Sequence, residues 1–167
     1  MRVIKLGLIS IVFFAIFITI FSLFFPSRVR ISKAIDINAD KAMVMAEVKD
    51  AVNWKKWYPG ADSLPPFMVD GKIKGIMTGP QQAVMIAAVN DSVVLAVNTG
   101  PHAKRGETGW NFYATEIPNS VTVQWYMDFH LRWYPWEKFS GLLLEKRYGP
   151  MMEKGLEKLK SITEKGN

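Results

Sequence analysis

Three side chains near the end of one stretch have the types and spacing for acid–base chemistry. Asp128, His130 and Arg132 alternate along V-T-V-Q-W-Y-M-D-F-H-L-R, from Val121 to Arg132. A carboxylate beside an imidazole can orient it and pass a proton, and strand alternation would point all three the same way. The interleaved residues Val121, Val123, Trp125, Met127, Phe129, Leu131 and Trp133 are apolar without exception. A strand with one oily face buries that face, so the Asp-His-Arg set is expected on the solvent side of a sheet, away from any enclosed substrate. His102 is the only other histidine, and there is no cysteine. Cysteine nucleophiles, thiolate metal sites and disulfides are thereby excluded, and a histidine-based zinc or iron site would need both histidines. Gly71, Gly75 and Gly79 recur every four residues but lack the strand-to-helix setting of a phosphate loop. No serine occupies a Gly-x-Ser-x-Gly elbow. The expectation is no catalytic residue, no metal and no cofactor, and a binding protein rather than an enzyme.

The elements that position these residues follow from the pattern of apolar positions. A broken alternation from Val29 to Ile37 reads as a first strand, and Asn38 is placed to cap a helix running to about Asp50. The tryptophan pair of N-W-K-K-W-Y-P-G, Asn53 to Gly60, falls on a second short helix ended by Pro59-Gly60. Strands are then expected at Phe67–Val69, Lys72–Met77, Gln82–Val89, Val93–Thr99, Glu107–Ile117 and Ser120–Trp133, with turn residues between them. Two helices close the chain, Trp136 to about Arg147 and Pro150 to about Glu164, with a kink or break at Gly149-Pro150. In the second, Met152, Leu156, Leu159 and Ile162 form an apolar stripe. The fold class is α+β, a curved antiparallel sheet burying one face under a C-terminal helix.

Ahead of this lies L-G-L-I-S-I-V-F-F-A-I-F-I-T-I-F-S-L-F-F, Leu6 to Phe25, without a charge. At 1.5 Å per residue such a helix is about 30 Å long, the thickness of a bilayer's hydrocarbon core. A cleaved signal peptide would have a shorter run and small residues before the cut, whereas this one ends Ser22-Leu23-Phe24-Phe25-Pro26. Residues 1–25 are therefore expected to be an uncleaved single-pass anchor and residues 26–167 the soluble domain. Arg2 and Lys5 nearly balance Arg28, Arg30 and Lys33 across the span, and the short N-terminal tail favours a domain outside the cytoplasm. The whole chain carries +6, and the anchor segment holds two basic residues and no acidic ones, so the domain is mildly basic. The densest basic cluster, His102-Ala103-Lys104-Arg105, is short, and no stripe or module for nucleic acid is present. Anionic lipid is the simpler partner for such charge.

Three stretches resemble the SRPBCC superfamily, whose helix-grip fold is shared by START lipid-transfer domains, the birch-pollen allergen family and polyketide cyclases. V-R-I-S-K-A-I-D-I-N-A-D, Val29 to Asp40, looks like the opening strand and helix cap. Asp50 to Pro59 carries D-x-x-N-W-x-x-W-x-P. Pro135 to Lys160, P-W-E-K-F-S-G-L-L-L-E-K-R-Y-G-P-M-M-E-K-G-L-E-K-L-K, is similar to the closing helix of membrane-anchored polyketide cyclase-like members. The resemblance implies an apolar cavity between sheet and C-terminal helix. Its expected lining is Trp110, Phe112, Trp125, Met127 and Phe129 on the sheet, with Phe139 and Leu143 on the helix. Trp54 and Trp57, three residues apart, share a side of their helix. They are expected to plug the sheet's edge; alternatively one gates the cavity mouth, or the pair touches the bilayer. The function implied is membrane-anchored binding of a hydrophobic small molecule or lipid, as carrier or sensor. The alternatives are a polyketide cyclase-like or hydrolytic enzyme using the same cavity, and a protein–protein interaction module at the membrane.

Overall fold

Alternating apolar residues from Arg28 onward do what the pattern predicts and pair edge to edge into one sheet. In the computed structural model, which describes residues 2–101 and 106–165, a helix α1 (Arg2–Ser22) precedes strand β1 (Arg28–Ile37), helices α2 (Lys41–Lys49) and α3 (Trp54–Trp57), and strands β2 (Pro66–Val69), β3 (Lys72–Gly79), β4 (Gln82–Asn90), β5 (Val93–Thr99), β6 (Gly106–Ala114) and β7 (Val121–His130). Helix α4 (Pro135–Ser140), a 3-10 turn (Gly141–Leu143) and helix α5 (Leu144–Glu164) complete it. The basic cluster at His102–Arg105, and with it one of the two histidines, lies outside the described residues. The seven described strands form a single antiparallel sheet in the order β1-β7-β6-β5-β4-β3-β2. Asp70 and Gly71, both at positive φ (51° and 74°), supply the two-residue turn that joins β2 to β3.

Helix α2 is capped two residues later than the sequence suggests. The carboxylate of Asp40 accepts from Ala42 N at 2.6 Å, filling one of the orphan donors of the first turn. Asn38 instead donates its backbone N–H to Glu164 Oε1 at 2.8 Å, tying the end of β1 to the end of α5.

No break occurs at Gly149-Pro150; α5 runs through both, and the interruption falls earlier, at Gly141–Leu143. A proline in a helix clashes with the Cβ of the residue before it, and Gly149 has none. Strand β7 also ends sooner than expected, at His130, although Leu131 N still donates to Ser27 O at 2.8 Å, one pair further along the β1–β7 register.

The core lies between the concave face of the sheet and helices α2, α3 and α5. Val121, Val123 and Trp125 of β7 are buried there, with Trp110 and Phe112 of β6 and Ile31 and Ile37 of β1. Helix α5 contributes Met152, Gly155, Leu156 and Leu159 from one face, the spacing that an amphipathic helix presents to a core. Burying a large apolar side chain is worth about 1.5–3 kcal/mol each, and this stripe is what holds α5 in the grip of the sheet.

Candidate functional site

Helix α3 is only four residues long, yet it decides where the hollow part of the core lies. Trp54 and Trp57 reach into the concave face and are both fully buried. Their indole N–H groups donate to the end of α2, Trp54 Nε1 to Val48 O at 2.8 Å and Trp57 Nε1 to Glu47 O at 3.1 Å. Trp54 lies 5.6 Å from Trp110, Trp57 lies 6.0 Å from Trp125, and Trp110 and Trp125 are 5.5 Å apart, centroid to centroid. These four indoles fill the middle of the grip with the edge-on and tilted contacts that aromatic rings favour.

Beyond the plug a cavity of about 450 Å³ opens. Its apolar wall is built by Met127 and Phe129 of β7, Val84 of β4, Leu64, and Tyr148 and Met151 of α5. Gln82, Asn98 and Arg147 add polar groups. The rings of Phe129 and Tyr148 meet at 5.0 Å and connect sheet to helix. Tyr58, the residue after Trp57, also faces this space. Burial, and secondarily the neighbouring Tyr148, pushes the Tyr58 phenol above its ordinary range, so it stays a neutral hydroxyl. Thr108 Oγ1 accepts from Trp125 Nε1 at 2.7 Å and donates to Tyr126 O at 3.1 Å, locking the indole at the cavity's inner end.

Strand register shows which end of the domain this is. Arg28, three residues after Phe25, pairs with His130; Phe129 pairs with Gly106, and Ala83 with Thr99. Cavity residues on β7, β6, β5 and β4 therefore cluster at the end of the sheet that receives the chain from α1. Helix α1 is long and apolar enough to cross a membrane, with a mean hydropathy of 2.6 over its best window and none of that window buried.

Of the sheet and helix residues named from the sequence, Met127 and Phe129 border this hollow. Trp110, Phe112 and Trp125 lie deeper, inside the packed interior. Phe139 is turned toward α1, its ring 5.4 Å from Phe25 and 6.5 Å from Phe21, and Leu143 is 64% exposed. Trp54 and Trp57 sit in the plug rather than at the mouth or on the surface. The residues that sequence reasoning passed over are Tyr58, Leu64, Tyr148 and Met151. Tyr148 was within reach, lying one turn before Met152 on the α5 stripe; the polar positions on β4 and β5 carry no signal in the sequence.

Asp128 and His130 are on the convex side, and Asp128 is engaged by Arg30 through two hydrogen bonds, 2.7 and 2.6 Å, and that contact holds the Asp128 carboxyl below its usual range. The same guanidinium lies 4.4 Å above the ring of Tyr126, a cation–π contact. Tyr126 in turn covers Gly109, where a Cβ would strike the phenol. Arg132 turns away with the chain, its N–H donating to Glu137 Oε2 at 2.7 Å. Among the described residues no cluster of three or more His, Asp or Glu side chains could hold a metal ion.

No protein-family model matches this chain, and no curated protein does. Solved structures do. A START superfamily protein from Mycobacterium smegmatis superimposes with a TM-score of 0.61 at 16% identity, over 83% of this chain and 99% of the other. The protein XoxI from Bacillus cereus gives 0.58 at 11% identity, over 80% and 94%. Norcoclaurine synthase from Thalictrum, solved with a transition-state analogue, gives 0.57 at 11% identity, over 81% and 94%. The fold is the helix-grip fold of START-like proteins. At these identities the likeness establishes architecture alone, since one fold hosts many activities.

Proposed function

We propose that this chain is a membrane-anchored binding protein for a hydrophobic small molecule or lipid, a carrier or sensor of the SRPBCC kind with a polyketide cyclase-like closing helix. Residues 1–25 are the anchor, residues 26–167 the ligand-binding domain, and the domain lies outside the cytoplasm. The observation that carries this reading is the cavity of about 450 Å³ at the end of the sheet nearest α1. That volume is within the range of small-molecule sites, and walls that are largely apolar with a few polar groups are the usual construction of such sites. A ligand leaving the bilayer would enter at the end where α1 meets the domain and lose little contact with apolar surroundings on the way. Desolvation supplies the affinity; Tyr58, Gln82 and Asn98 are placed to orient a polar head. The size of the cavity argues against a pure interaction module. The charged groups around it argue against the cyclase or hydrolase alternative: Glu107 and Arg147 are exposed, and Asp128 is engaged by Arg30.

The test is native mass spectrometry of the full chain released from detergent micelles, followed by organic extraction of whatever stays bound. A discrete co-purified lipid or isoprenoid-like mass is expected, and Met127→Trp should abolish it while leaving unfolding cooperative. Unchanged ligand occupancy in that variant would sink the cavity assignment.

A further inference from the structure

The chain's two exposed tryptophans lie close together. Trp133 is 60% exposed and Trp136 68%, while the other four tryptophans are fully buried. Leu142 and Leu143, in the 3-10 turn that follows α4, are 63% and 64% exposed. Tyr134 bridges the two indoles, 4.8 Å from Trp133 and stacked on Trp136 at 4.9 Å. Large apolar side chains grouped on a surface mark a contact, whereas single ones do not.

What they contact is indicated by how α4 is held. Phe139 packs on Phe21 and Phe25 at the end of α1. The ammonium of Lys138, only 4% exposed, donates to Phe25 O at 2.9 Å and to Ser27 Oγ at 2.6 Å. Helix α4 is thus fastened to the last turn of α1 and to the short segment after it, and its outward residues lie level with the point where α1 ends. Tryptophan and tyrosine favour that level of a bilayer, with rings among the acyl carbonyls and polar edges in water. Exposed Arg28 and Arg132 flank the cluster, as basic residues do beside phospholipid headgroups.

We propose that Trp133–Leu143 is a second, interfacial membrane contact: Trp133, Trp136, Leu142 and Leu143 enter the headgroup region beside α1 and seat the domain with its cavity mouth on the bilayer. This rests on the reading of α1 as an anchor and adds to it a fixed posture of the domain, which a tether alone would leave free to tumble. The proposed contact belongs to the lipid surface itself, because it is continuous with the lipid-exposed surface of α1.

The tryptophan inventory makes the test selective. Helix α1 contains no tryptophan, and four of the six are sealed in the core, so acyl-chain quenchers can report only on Trp133 and Trp136. The full chain is reconstituted into phosphatidylcholine vesicles with brominated acyl chains, and its emission is compared with that in unbrominated vesicles; extraction with alkaline carbonate is scored on the same samples. The expected result is carbonate resistance with a loss of about one third of the emission, the share of two indoles in six, and no loss in Trp133→Phe/Trp136→Phe. A carbonate-resistant chain without quenching overturns the interfacial contact and leaves the anchor standing. A chain that carbonate releases but that is quenched while bound overturns the anchor and supports the contact. Release without quenching overturns both. A second variant, Leu142→Glu/Leu143→Glu, keeps both indoles and should lower the quenching at least twofold; full quenching in it counts against the proposed posture.

Discussion

Gly155→Ala places one methyl group at the tightest contact between α5 and the rest of the domain, and its cost can be worked from the surrounding distances. An alanine Cβ at this position would meet Trp125 Cζ3 at 2.7 Å, Pro59 Cδ at 2.9 Å and Pro59 Cγ at 3.1 Å. All three are shorter than an ordinary contact, and none belongs to the free end of a flexible side chain. Trp125 is fully buried and hydrogen-bonded to Thr108; Pro59 is a ring. In an unconstrained helix interior the substitution would stabilise by about 1 kcal/mol. Overpacking a rigid site costs about 1–3 kcal/mol, and three simultaneous clashes put this case in the upper half of that range. The expected outcome is a net destabilisation of about 1–2 kcal/mol, or a fall in Tm of about 3–8 °C for a domain of this size. Thermal unfolding of the full chain in detergent, followed by near-UV circular dichroism of the tryptophans, reads it. In a Trp125→Phe background the Cζ3 atom is gone and only Pro59 opposes the methyl, so a double-mutant cycle should show coupling of about 0.5 kcal/mol or more. If Gly155→Ala stabilises the protein, or if the coupling is nil, α5 is not seated against Trp125 and Pro59 as described.

The two sheet indoles should respond differently to loss of their N–H. Trp125→Phe breaks the bond to Thr108 Oγ1, whereas Trp110 Nε1 is buried without a partner among the described residues; denaturant unfolding should therefore find Trp125→Phe worse than Trp110→Phe by about 1–2 kcal/mol. Asp128 titrates below its unfolded value because of Arg30, so the pair stabilises the fold above about pH 4 and stops doing so as pH falls through the depressed folded pKa. With Arg30 59% exposed the effect is at most about 1 kcal/mol: Asp128→Asn should lower stability by that much or less at pH 7, and the gap from wild type should close below about pH 4. A gap that persists in acid would point to packing instead. Lys138→Met removes both hydrogen bonds by which its ammonium fastens α4 to Phe25 and Ser27, just past α1; limited proteolysis between residues 25 and 28 should quicken about tenfold, corresponding to about 1.4 kcal/mol, and an unchanged rate would mean that the phenylalanine contacts alone hold the junction.

The parts of this fold that could be read from the chain are those where one physical requirement acts locally. A charge-free run long enough for α1, the strict alternation of β7, and the α5 stripe each follow from matching apolar side chains to an element's period. The two helix boundaries that went astray were settled by where the first turn of α2 begins and by a single missing atom. The first turn of α2 begins at Lys41, so the carboxylate next to it, Asp40, caps the helix, while the backbone N–H of Asn38 reaches Glu164, 126 residues away; Gly149 let α5 pass through Pro150 for want of a Cβ. The candidate site is harder for a different reason. Sequence identifies the aromatic residues that leave water, but a cavity is where such residues fail to meet, and that depends on how far α3 drives Trp54 and Trp57 into the concave face. Because those indoles reach Trp110 and Trp125, the middle of the grip is filled and the unfilled volume shifts toward Met127, Phe129 and Tyr148, at the end joined to α1. The two tryptophans that face outward, Trp133 just before α4 and Trp136 on it, belong to the segment that Phe139 and Lys138 fasten to the end of α1.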